Sequence, residues 1–435
     1  MGKWCSLVFS LLFFFPLFHG GIVAAAKAQE GLEEWGYVEV RPKAHMFWWL
    51  YRSPYRVEDD PSSKPWPIIL WLQGGPGASG VGIGNFEEIG PIDSDLKPRN
   101  STWLRKADLL FVDNQIGTGY SFVEDEELLV KTDEEAAVDL TTLLEEIFNR
   151  NESLQKSPLH IVAESYGGKY AVTLALSALK AIEAGKLKLK LGGDSWISQK
   201  ICGRNLLICP IKFSWGPLLK DISRLALKIK QHIEQGLYVD ATNSWMQLES
   251  VVSSNSNNVD FYNFLLDFGS DSMTEIFIIL SSLRSSPGGV GDLGRLMNGV
   301  IKKKLKIIPE NVEWEGQSET VFTKLVGEFM KPRIGEVDEL LAKGVNVTVY
   351  NGQVRSIINT SIFSTMVLLK AWIEKLKGFF KSYKNLHFYG FLEQPLCTCD
   401  QPCVALNMSC HHAPSGFFEK LRKMTTTSTN RKGLR

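Results

Sequence analysis

The sequence predicts an α/β fold with a mostly parallel central sheet, and two observations support this prediction. Apolar runs typical of strands buried on both faces occur at residues 66–72, 107–114 and 161–163. A helical periodicity follows each of the last two runs. Strands that alternate with helices in this way point to an α/β domain with a mostly parallel sheet.

The elements ahead of and between these strands have their own patterns. Residues 37–40 and 44–51 have the alternation typical of an antiparallel pair of strands. The run at 66–72 leads into a glycine-rich loop at 73–77 (Q-G-G-P-G), in which backbone N–H groups are exposed. Thr132 and Glu135 have the spacing of a capping box, so a helix is expected to begin there.

A stretch with helical periodicity separates two parts of the predicted sheet. Helical periodicity dominates from about residue 218 to 339, which predicts a helical insertion, or cap, on the sheet. Sheet-like runs return at residues 345–350 and 386–392. The predicted division of the chain is a signal peptide at 1–28, the first part of the sheet domain at 29–217, the insertion at 218–339, a diverged second part of the sheet domain at 340–423 and a disordered tail at 424–435.

The first 28 residues have the composition of a secretory signal peptide. Lys3 precedes an apolar stretch at 7–18, and small residues at 24–28 give a cleavage site near Ala26 or Ala28. That stretch is too short for a stable membrane span, and no later segment reaches about 18 apolar residues. The mature protein is therefore expected in the secretory pathway, either outside the cell or in a vacuole or lysosome. Sequons agree with that route and mark candidate glycosylation sites at Asn100, Asn151, Asn346, Asn359 and Asn407.

Charge and cysteine content argue against several classes of function. The chain has 48 basic and 48 acidic residues, well interspersed, so no surface for nucleic acid is expected. The cysteines that remain after the signal peptide are expected to form disulfides, in one of about 15 pairings, in an oxidising compartment. No matched pair of histidines accompanies them at zinc-finger spacing, so neither a metal nor another cofactor is expected. These cysteines are Cys202, Cys209, Cys397, Cys399, Cys403 and Cys410.

Around Ser165 the sequence has the pattern of a nucleophile elbow, in which a serine stands at a sharp turn between a strand and a helix. The apolar strand residues end at Ala163, and the helical pattern begins near Tyr170. Small neighbours are needed because backbone atoms pack closely beneath the serine. Gly167 meets this need, while Ala163 stands where the G-x-S-x-G pattern has its first glycine. The alternative interpretation is that Ser165 is an ordinary helix cap.

An elbow serine performs acyl transfer when hydrogen-bond donors face the oxyanion that develops on the substrate. In hydrolases with such an elbow, the donors are the N–H after the nucleophile and an N–H from an earlier strand–helix loop. The corresponding candidates are the N–H groups of Tyr166 and Gly75. Clusters of glycine and proline such as residues 74–77 also make ordinary turns, so the prediction depends on the motifs that accompany them.

Those motifs, in their order, resemble the serine carboxypeptidases, in particular the branch that contains plant serine carboxypeptidase-like proteins and the retinoid-inducible enzymes. The resemblance is dense over about residues 36–198 and patchy afterwards. It implies an α/β-hydrolase fold with a helical cap insertion, peptide substrates bound through their C-terminus, and removal of C-terminal residues. The motifs are 71–80 (W-L-Q-G-G-P-G-A-S-G), 86–91 (F-E-E-I-G-P), 111–122 (F-V-D-N-Q-I-G-T-G-Y-S-F) and 163–168 (A-E-S-Y-G-G).

The resemblance implies a role for each residue around the elbow. Ser165 would be the nucleophile that forms an acyl-enzyme, and Gly75 and Tyr166 match the positions of the oxyanion hole. The family holds the substrate carboxylate with an Asn, the following Gly and two linked carboxylic acids, and here Gln73 replaces the Asn. Two close carboxyls raise each other's pKa, so one can stay protonated in acid and donate to a carboxylate. The positions that match this carboxylate site are Trp71, Gln73, Gly74, Glu88 and Glu164.

The same resemblance exposes two missing partners. The family's triad places an Asp and then a His after the serine in the chain. Here Arg355 stands at the Asp position and Pro395 at the His position. An Arg has the wrong charge to stabilise an imidazolium, and loss of one triad member lowers the rate roughly 10⁴- to 10⁶-fold. The chain is therefore expected to be a very poor peptidase. The histidines weighed as substitutes, all expected to have structural or surface roles, are His160, His387, His411 and His412.

The sequence leaves three functions open. They are a serine carboxypeptidase, an acyltransferase in which an acceptor other than water attacks the acyl-enzyme, and a non-catalytic pseudoenzyme that binds peptide C-termini or a protein partner. Blocks 199–212 and 355–400 interrupt otherwise matching sequence, which suggests altered splicing or a faulty gene model. Sequencing the transcript across these codons tests that hypothesis, and clean support for the printed sequence would refute it. The oligomeric state does not follow from any of these features.

Overall fold

A computed structural model describes residues 22–27, 32–56, 65–192, 194–198, 216–255, 290–352 and 378–391. These residues form one mixed sheet, whose strands we number β1 to β12 in chain order. The strands are β1 (Ile22–Lys27), β2 (Glu33–Arg41), β3 (Ala44–Tyr51), β4 (Ile68–Leu72), β5 (Asp108–Val112), β6 (Phe122–Val123), β7 (Pro158–Ala163), β8 (Lys190–Leu191), β9 (Asp194–Ser198), β10 (Asn346–Gly352), β11 (Gly378–Tyr383) and β12 (Leu386–Phe391).

The sheet is antiparallel at its two ends and parallel between them. Its order is β1-β2-β3-β5-β4-β7-β9-β10-β12-β11, with β6 paired to β3 and β8 to β7. Every neighbouring pair from β5 to β12 along this order is parallel. The pairs β1–β2, β2–β3, β3–β5 and β11–β12 are antiparallel. This arrangement confirms the mostly parallel sheet and the antiparallel pair predicted at residues 37–40 and 44–51.

Strand β4 shows why a continuous apolar run lies in the middle of the sheet. All of its residues are buried, and successive side chains enter hydrophobic cores on opposite faces. The strand begins at Ile68, later than the predicted run at 66–72, because Pro67 has no N–H to donate to the ladder. One core contains Ile68, Leu70 and Leu72, and the other contains Ile69 and Trp71.

The helices that flank β7 lie where the alternation predicts them. Asp133–Asn149 precedes this strand and Gly167–Glu183 follows it, and their buried apolar residues belong to the same core. The hydroxyl of Thr132 accepts a hydrogen bond from Glu135 N at 3.1 Å, as a capping box requires. The Glu135 carboxylate accepts from Lys131 N at 2.7 Å, so it reaches one residue ahead of the cap. The other helices before β9 are the π-helix Gly80–Ile89, the 3₁₀ helices Trp103–Arg105 and Glu126–Leu128, and the α-helix Glu152–Gln155.

Helices also occupy the described part of the predicted insertion between β9 and β10, which confirms its helical character. Its boundaries at 218 and 339 stay predictions. The helical pattern around residues 261–268 and the tail at 424–435 lie outside the described residues. The described helices are Gly216–Glu234, Tyr238–Asn255, Val290–Leu296, the π-helix Met297–Ile301, Lys302–Leu305, Glu319–Lys324, Val326–Phe329 and Ile334–Ala342.

The end of the predicted signal peptide forms the edge strand β1. Ile22–Lys27 pairs antiparallel with β2. Cleavage near Ala26 or Ala28 would remove this strand, leaving β2 at that edge of the sheet; the cleavage itself stays a prediction. Among the helices described, none has the length and apolarity needed to cross a membrane.

Asp113 anchors the loop that follows β5. Its buried carboxylate accepts hydrogen bonds from Ser79 Oγ at 2.5 Å, Val81 N at 3.0 Å and Tyr120 N at 2.8 Å. Gly119 makes room for it, since a Cβ there would lie 2.2 Å from Asp113 Oδ2. Burial nevertheless raises the pKa of this carboxyl to about 6. Asp113 thus joins the loops after β4 and β5 at the carboxyl edge of the sheet.

Replacing Asp113 by Asn should destabilise the fold by about 1–3 kcal/mol. The amide has only one oxygen, so its NH₂ group would face a backbone N–H or the Ser79 hydroxyl in place of an acceptor. Denaturant unfolding at neutral pH measures the difference. The matched control is Asp95→Asn, which alters an exposed carboxylate beside Lys97 and should change the free energy of unfolding by less than about 0.5 kcal/mol. Equal stability of the two variants would contradict the anchoring role.

Candidate functional site

Ser165 lies in the sharp turn between β7 and the helix Gly167–Glu183. Its φ is +56°, in the left-handed region that non-glycine residues rarely adopt. The N-cap of the helix is Tyr166, and no side chain makes a capping hydrogen bond. Ser165 itself, one residue before that N-cap, is half-buried. This geometry is that of an elbow and not of the alternative, an ordinary helix cap.

The small residues around Ser165 are needed because the turn packs against the end of β4. A Cβ on Gly167 would lie 2.4 Å from Leu72 O, closer than any real contact. Ala163, in contrast, is buried at the end of β7, and its carbonyl accepts a hydrogen bond from Tyr350 on β10 at 3.0 Å. The methyl group of Ala163 is therefore tolerated where the pattern has a glycine, whereas a side chain at Gly167 is not.

The glycine-rich loop after β4 lies directly against the elbow. A Cβ on Gly74 would lie 2.7 Å from Tyr166 N and 2.8 Å from Ser165 Cβ. Gly75 and Gly77 have φ values of +102° and +93°, which suit glycine alone. The structure therefore brings together the two backbone segments that carry the predicted oxyanion donors, the amides of Gly75 and Tyr166.

Three of the predicted carboxylate-binding side chains form one buried line. Trp71 Nε1 donates to Gln73 Oε1 at 2.7 Å, and Gln73 Nε2 donates to Glu88 Oε1 at 3.0 Å. Gly84 of the π-helix allows this, because a Cβ there would lie 2.3 Å from Trp71 Nε1. An amide NH₂ has two donors, and Glu88 accepts a hydrogen bond from one of them. Both polar atoms of the Gln73 amide, which stands where the family has Asn, are thus hydrogen-bonded.

Glu164, the remaining predicted residue, lies between β7 and Ser165. Its side chain is buried, and its backbone N–H donates to Leu72 O at 3.1 Å. The backbone of Glu164 therefore ties the elbow to β4, immediately before Gln73. The proposed link between the Glu164 and Glu88 carboxyls stays a prediction.

Glu87 is an acidic residue next to this site that the sequence analysis did not single out. Burial raises the pKa of its carboxyl to about 7, and the positive charge of Arg99 opposes this shift. The only sequence clue was that Glu87 is the first of the two acids in the motif at 86–91. A carboxyl of this kind changes its charge in the range between acidic organelles and neutral fluid.

Two of the histidines weighed as substitutes lie on described strands of the sheet. His160 lies on β7, where its ring packs against Gly192; a Cβ on that glycine would lie 2.5 Å from the ring. His387 lies on β12 in register with Thr348 of β10, and β9 separates β10 from β7. The positions that decide the triad question lie outside the described residues; they are Arg355, Pro395, His411 and His412.

The candidate glycosylation sites differ in their surroundings. Asn100 is exposed. Asn151 is partly exposed, and its Oδ1 caps the helix Glu152–Gln155. Asn346 is the first residue of β10. Asn359 and Asn407 lie outside the described residues, as do the six cysteines discussed above; within the described ranges, no group of His, Cys, Asp and Glu side chains could hold a metal ion.

The chain is similar to serine carboxypeptidases along most of its length. A family model described as serine carboxypeptidase matches residues 25–394. Serine carboxypeptidase-like 51 of Arabidopsis thaliana is 55% identical over 432 residues, which cover 87% of this chain and 91% of that protein. Retinoid-inducible serine carboxypeptidase of Mus musculus is 38% identical over 449 residues, which cover 92% and 95% of the two chains.

A solved structure shares the architecture. A prohormone-processing carboxypeptidase from Saccharomyces cerevisiae superposes with a TM-score of 0.64 over 86% of this chain and 90% of its own. The two sequences are 20% identical, so this likeness concerns the fold. It confirms the predicted α/β-hydrolase fold.

Replacing Gly74 by Ala should disrupt the contact between the glycine loop and the elbow. The new methyl group would overlap backbone atoms of residues 164–166, and we expect a loss of about 1–3 kcal/mol in the free energy of unfolding. Gly335→Ala is the matched control, because a Cβ there meets nothing within 4 Å. In the helix Ile334–Ala342 this change should be neutral or stabilising by up to about 1 kcal/mol. Similar unfolding curves for both variants would argue against the close approach.

Glu87 should make stability depend on pH. Its pKa in the folded protein, about 7, exceeds the ordinary value of 4.5, so the folded state binds more protons between these values. The contribution of Glu87 to the free energy of unfolding should therefore fall as pH rises from about 4.5 to 7 and stay constant above that. Glu87→Gln should remove this contribution, so the free energy of unfolding should fall less over this pH range, by a difference of at most about 3 kcal/mol. Parallel stability profiles of the two proteins between pH 4.5 and 7.5, measured by denaturant unfolding, would contradict the assignment.

Proposed function

Because the chain belongs to the serine carboxypeptidase family, we propose that it removes C-terminal residues from peptides and that Ser165 is its nucleophile. The observation that carries the proposal is the left-handed turn at Ser165 beneath the glycine loop. Such a turn is strained for a serine and is retained where it presents the hydroxyl to a substrate.

In the proposed reaction Ser165 Oγ attacks the carbonyl carbon of the last peptide bond. The hydroxyl proton passes to a general base, and the amides of Gly75 and Tyr166 donate to the oxyanion. The C–N bond then breaks, the C-terminal residue leaves with the proton on its amine, and the peptide stays as an ester on Ser165. Water hydrolyses this ester and restores the serine. Ser165 and Tyr166 of the elbow and Gly75 of the glycine loop would supply the nucleophile and the two donors, and the base would have to come from another part of the chain.

Recognition of the peptide C-terminus is assigned to the buried line that ends at Glu88. We propose that the second N–H of Gln73 donates to the substrate carboxylate, together with the Gly74 amide, in a site lined by the carboxyl groups of Glu88 and Glu164. The route through the secretory pathway and glycosylation at the sequons belong to the same proposal.

A second candidate function is supported by the residues at the triad positions. Arg355 and Pro395 occupy the places where the family has its Asp and His. A chain that keeps the carboxylate site but lacks a base would bind peptide C-termini without cleaving them. Binding and cleavage are therefore separate questions for this protein.

We expect a fluorophosphonate probe to label Ser165, and mass spectrometry of the digested protein identifies the modified residue. Ser165→Ala is the control for labelling at another serine. Peptide binding is measured in parallel by calorimetry at pH 5, with a matched peptide whose C-terminus is an amide. Labelling together with preference for the free carboxylate supports the peptidase. Preference without labelling favours the pseudoenzyme. The absence of both labelling and preference would refute the proposed site.

A further inference from the structure

We infer that residues 314–333, which the sequence placed in the helical insertion, position both amide donors of the proposed oxyanion hole. We call this segment the brace. One end of the brace pairs with the glycine loop, and the other end holds the side chain of Tyr166. The inference rests on the proposed function for its chemical meaning, but the contacts that support it are independent of any reaction.

The first contact is a short antiparallel pairing with the glycine loop. Ser79 N donates to Gly316 O at 3.0 Å, and Ser318 N donates to Gly77 O at 2.9 Å. A Cβ on Gly77 would lie 2.8 Å from Ser318 O, so the two backbones are in direct contact. The loop that carries the Gly75 amide is therefore fixed on the side of the brace by main-chain hydrogen bonds.

Gln317 adds a side-chain contact at the centre of this pairing. Its Nε2 donates to Pro76 O at 3.2 Å. The same nitrogen would be 3.2 Å from a Cβ on Gly75, so the amide group lies beside the residue that carries the donor. Gln317 therefore bears on the orientation of the peptide units on both sides of Pro76.

Trp314 connects the brace to the Asp113 anchor. Its Nε1 donates to Ser79 Oγ at 3.0 Å, and Ser79 in turn donates to Asp113. Gly82 permits this approach, because a Cβ there would lie 2.2 Å from the indole ring. The beginning of the brace is thus held by the same polar group that organises the loops after β4 and β5.

The end of the brace holds Tyr166 from two directions. The ring of Phe329 stacks on the Tyr166 ring with centroids 5.8 Å apart and planes 16° apart. The Tyr166 hydroxyl donates to Asp133 Oδ1 at 2.7 Å. Arg333 donates to the other oxygen of Asp133 through Nε at 3.0 Å and Nη2 at 2.8 Å. With ring and hydroxyl both fixed, the main chain of Tyr166 has little freedom to turn its N–H away.

The buried basic side chains of this region form ion pairs. Arg333 is only 4% exposed, so it depends on its ion pairs for stability. Lys169 on the elbow helix lies 3.4 Å from Asp133 and donates to the backbone carbonyl of Glu328. The end of the brace is therefore bonded to the helix that begins at the elbow. The acidic partners of Arg333 are Asp133, Glu134, Glu328 and Glu336.

These contacts assign Gln317 and Arg333 as positioning residues, each acting on a different amide donor. Neither touches the reacting atoms. The Gln317 contact bears on the loop of Gly75, and the Arg333 contact bears on Tyr166 through Asp133. A change at either residue should therefore loosen one donor and leave the other in place.

Hydrogen–deuterium exchange of the full chain tests this separation. Gln317→Ala should speed exchange of the Ala78 and Ser79 amides at least tenfold and leave residues 167–169 unchanged. Arg333→Lys, which keeps the charge but loses the forked contact, should do the reverse. Lys343→Met is the matched control, since it breaks an ion pair of 3.3 Å with Glu183 at the far end of the elbow helix. It should change exchange at neither place.

A second measurement separates positioning from general stability. If the wild-type chain is labelled by the fluorophosphonate probe, both variants should lower the labelling rate of Ser165 at least tenfold while peptide affinity changes little. Gln317→Ala should also leave the unfolding midpoint nearly unchanged, whereas Arg333→Lys alters a buried set of ion pairs and should lower it. If the wild-type chain is not labelled, the proposed nucleophile is refuted. The exchange experiment still decides whether Gln317 and Arg333 hold the two backbone segments. If Arg333→Lys fails to fold, Tyr166→Phe, which removes only the hydroxyl contact, takes its place. An equal increase in exchange along the whole chain would overturn the inference, and so would an unchanged exchange rate at the predicted amides.

Discussion

The structure depends on a contact between two backbones that have no side chains between them. The loop after β4 and the turn after β7 approach so closely that a Cβ on Gly74 would lie 2.7 Å from Tyr166 N, and one on Gly167 would lie 2.4 Å from Leu72 O. Parallel neighbours in a sheet place their carboxyl ends at one edge, and the glycines let those ends touch. The left-handed turn at Ser165 and the placement of the Gly74–Gly75 segment beside the Tyr166 amide go together with this approach.

Most of the fold could be predicted because its signals are local. The apolar run of β4 reports burial on both faces, and the spacing of Thr132 and Glu135 reports a helix start that the structure confirms. The motifs at 71–80 and 163–168 likewise contain the residues that make the close approach, so the centre of the site was visible in the sequence. Local patterns of this kind specify backbone geometry directly.

The brace could not be predicted, because its contacts join residues far apart in the chain. Arg333 and Asp133 are 200 residues apart, and a single charged residue in a helical insertion is usually expected at the surface. The role of Gln317 depends on a carbonyl of the glycine loop, for which its sequence neighbourhood has no marker. The high pKa of Glu87 was missed for the same reason, since burial is a property of the packed structure.

The contacts that hold the proposed site also indicate which of its properties would survive the loss of a catalytic base. The elbow, the glycine loop and the Trp71-to-Glu88 line are held by contacts among residues 71–198 and the brace. From the second part of the sheet, β10 contributes Tyr350, whose hydroxyl supports Ala163 beneath the elbow. The Asp and His positions, Arg355 and Pro395, follow β10 and β12 in the chain and lie outside the described residues. Their replacement would remove the base without removing the packing that orients the carboxylate site, so peptide binding is expected to be the more durable of the two properties.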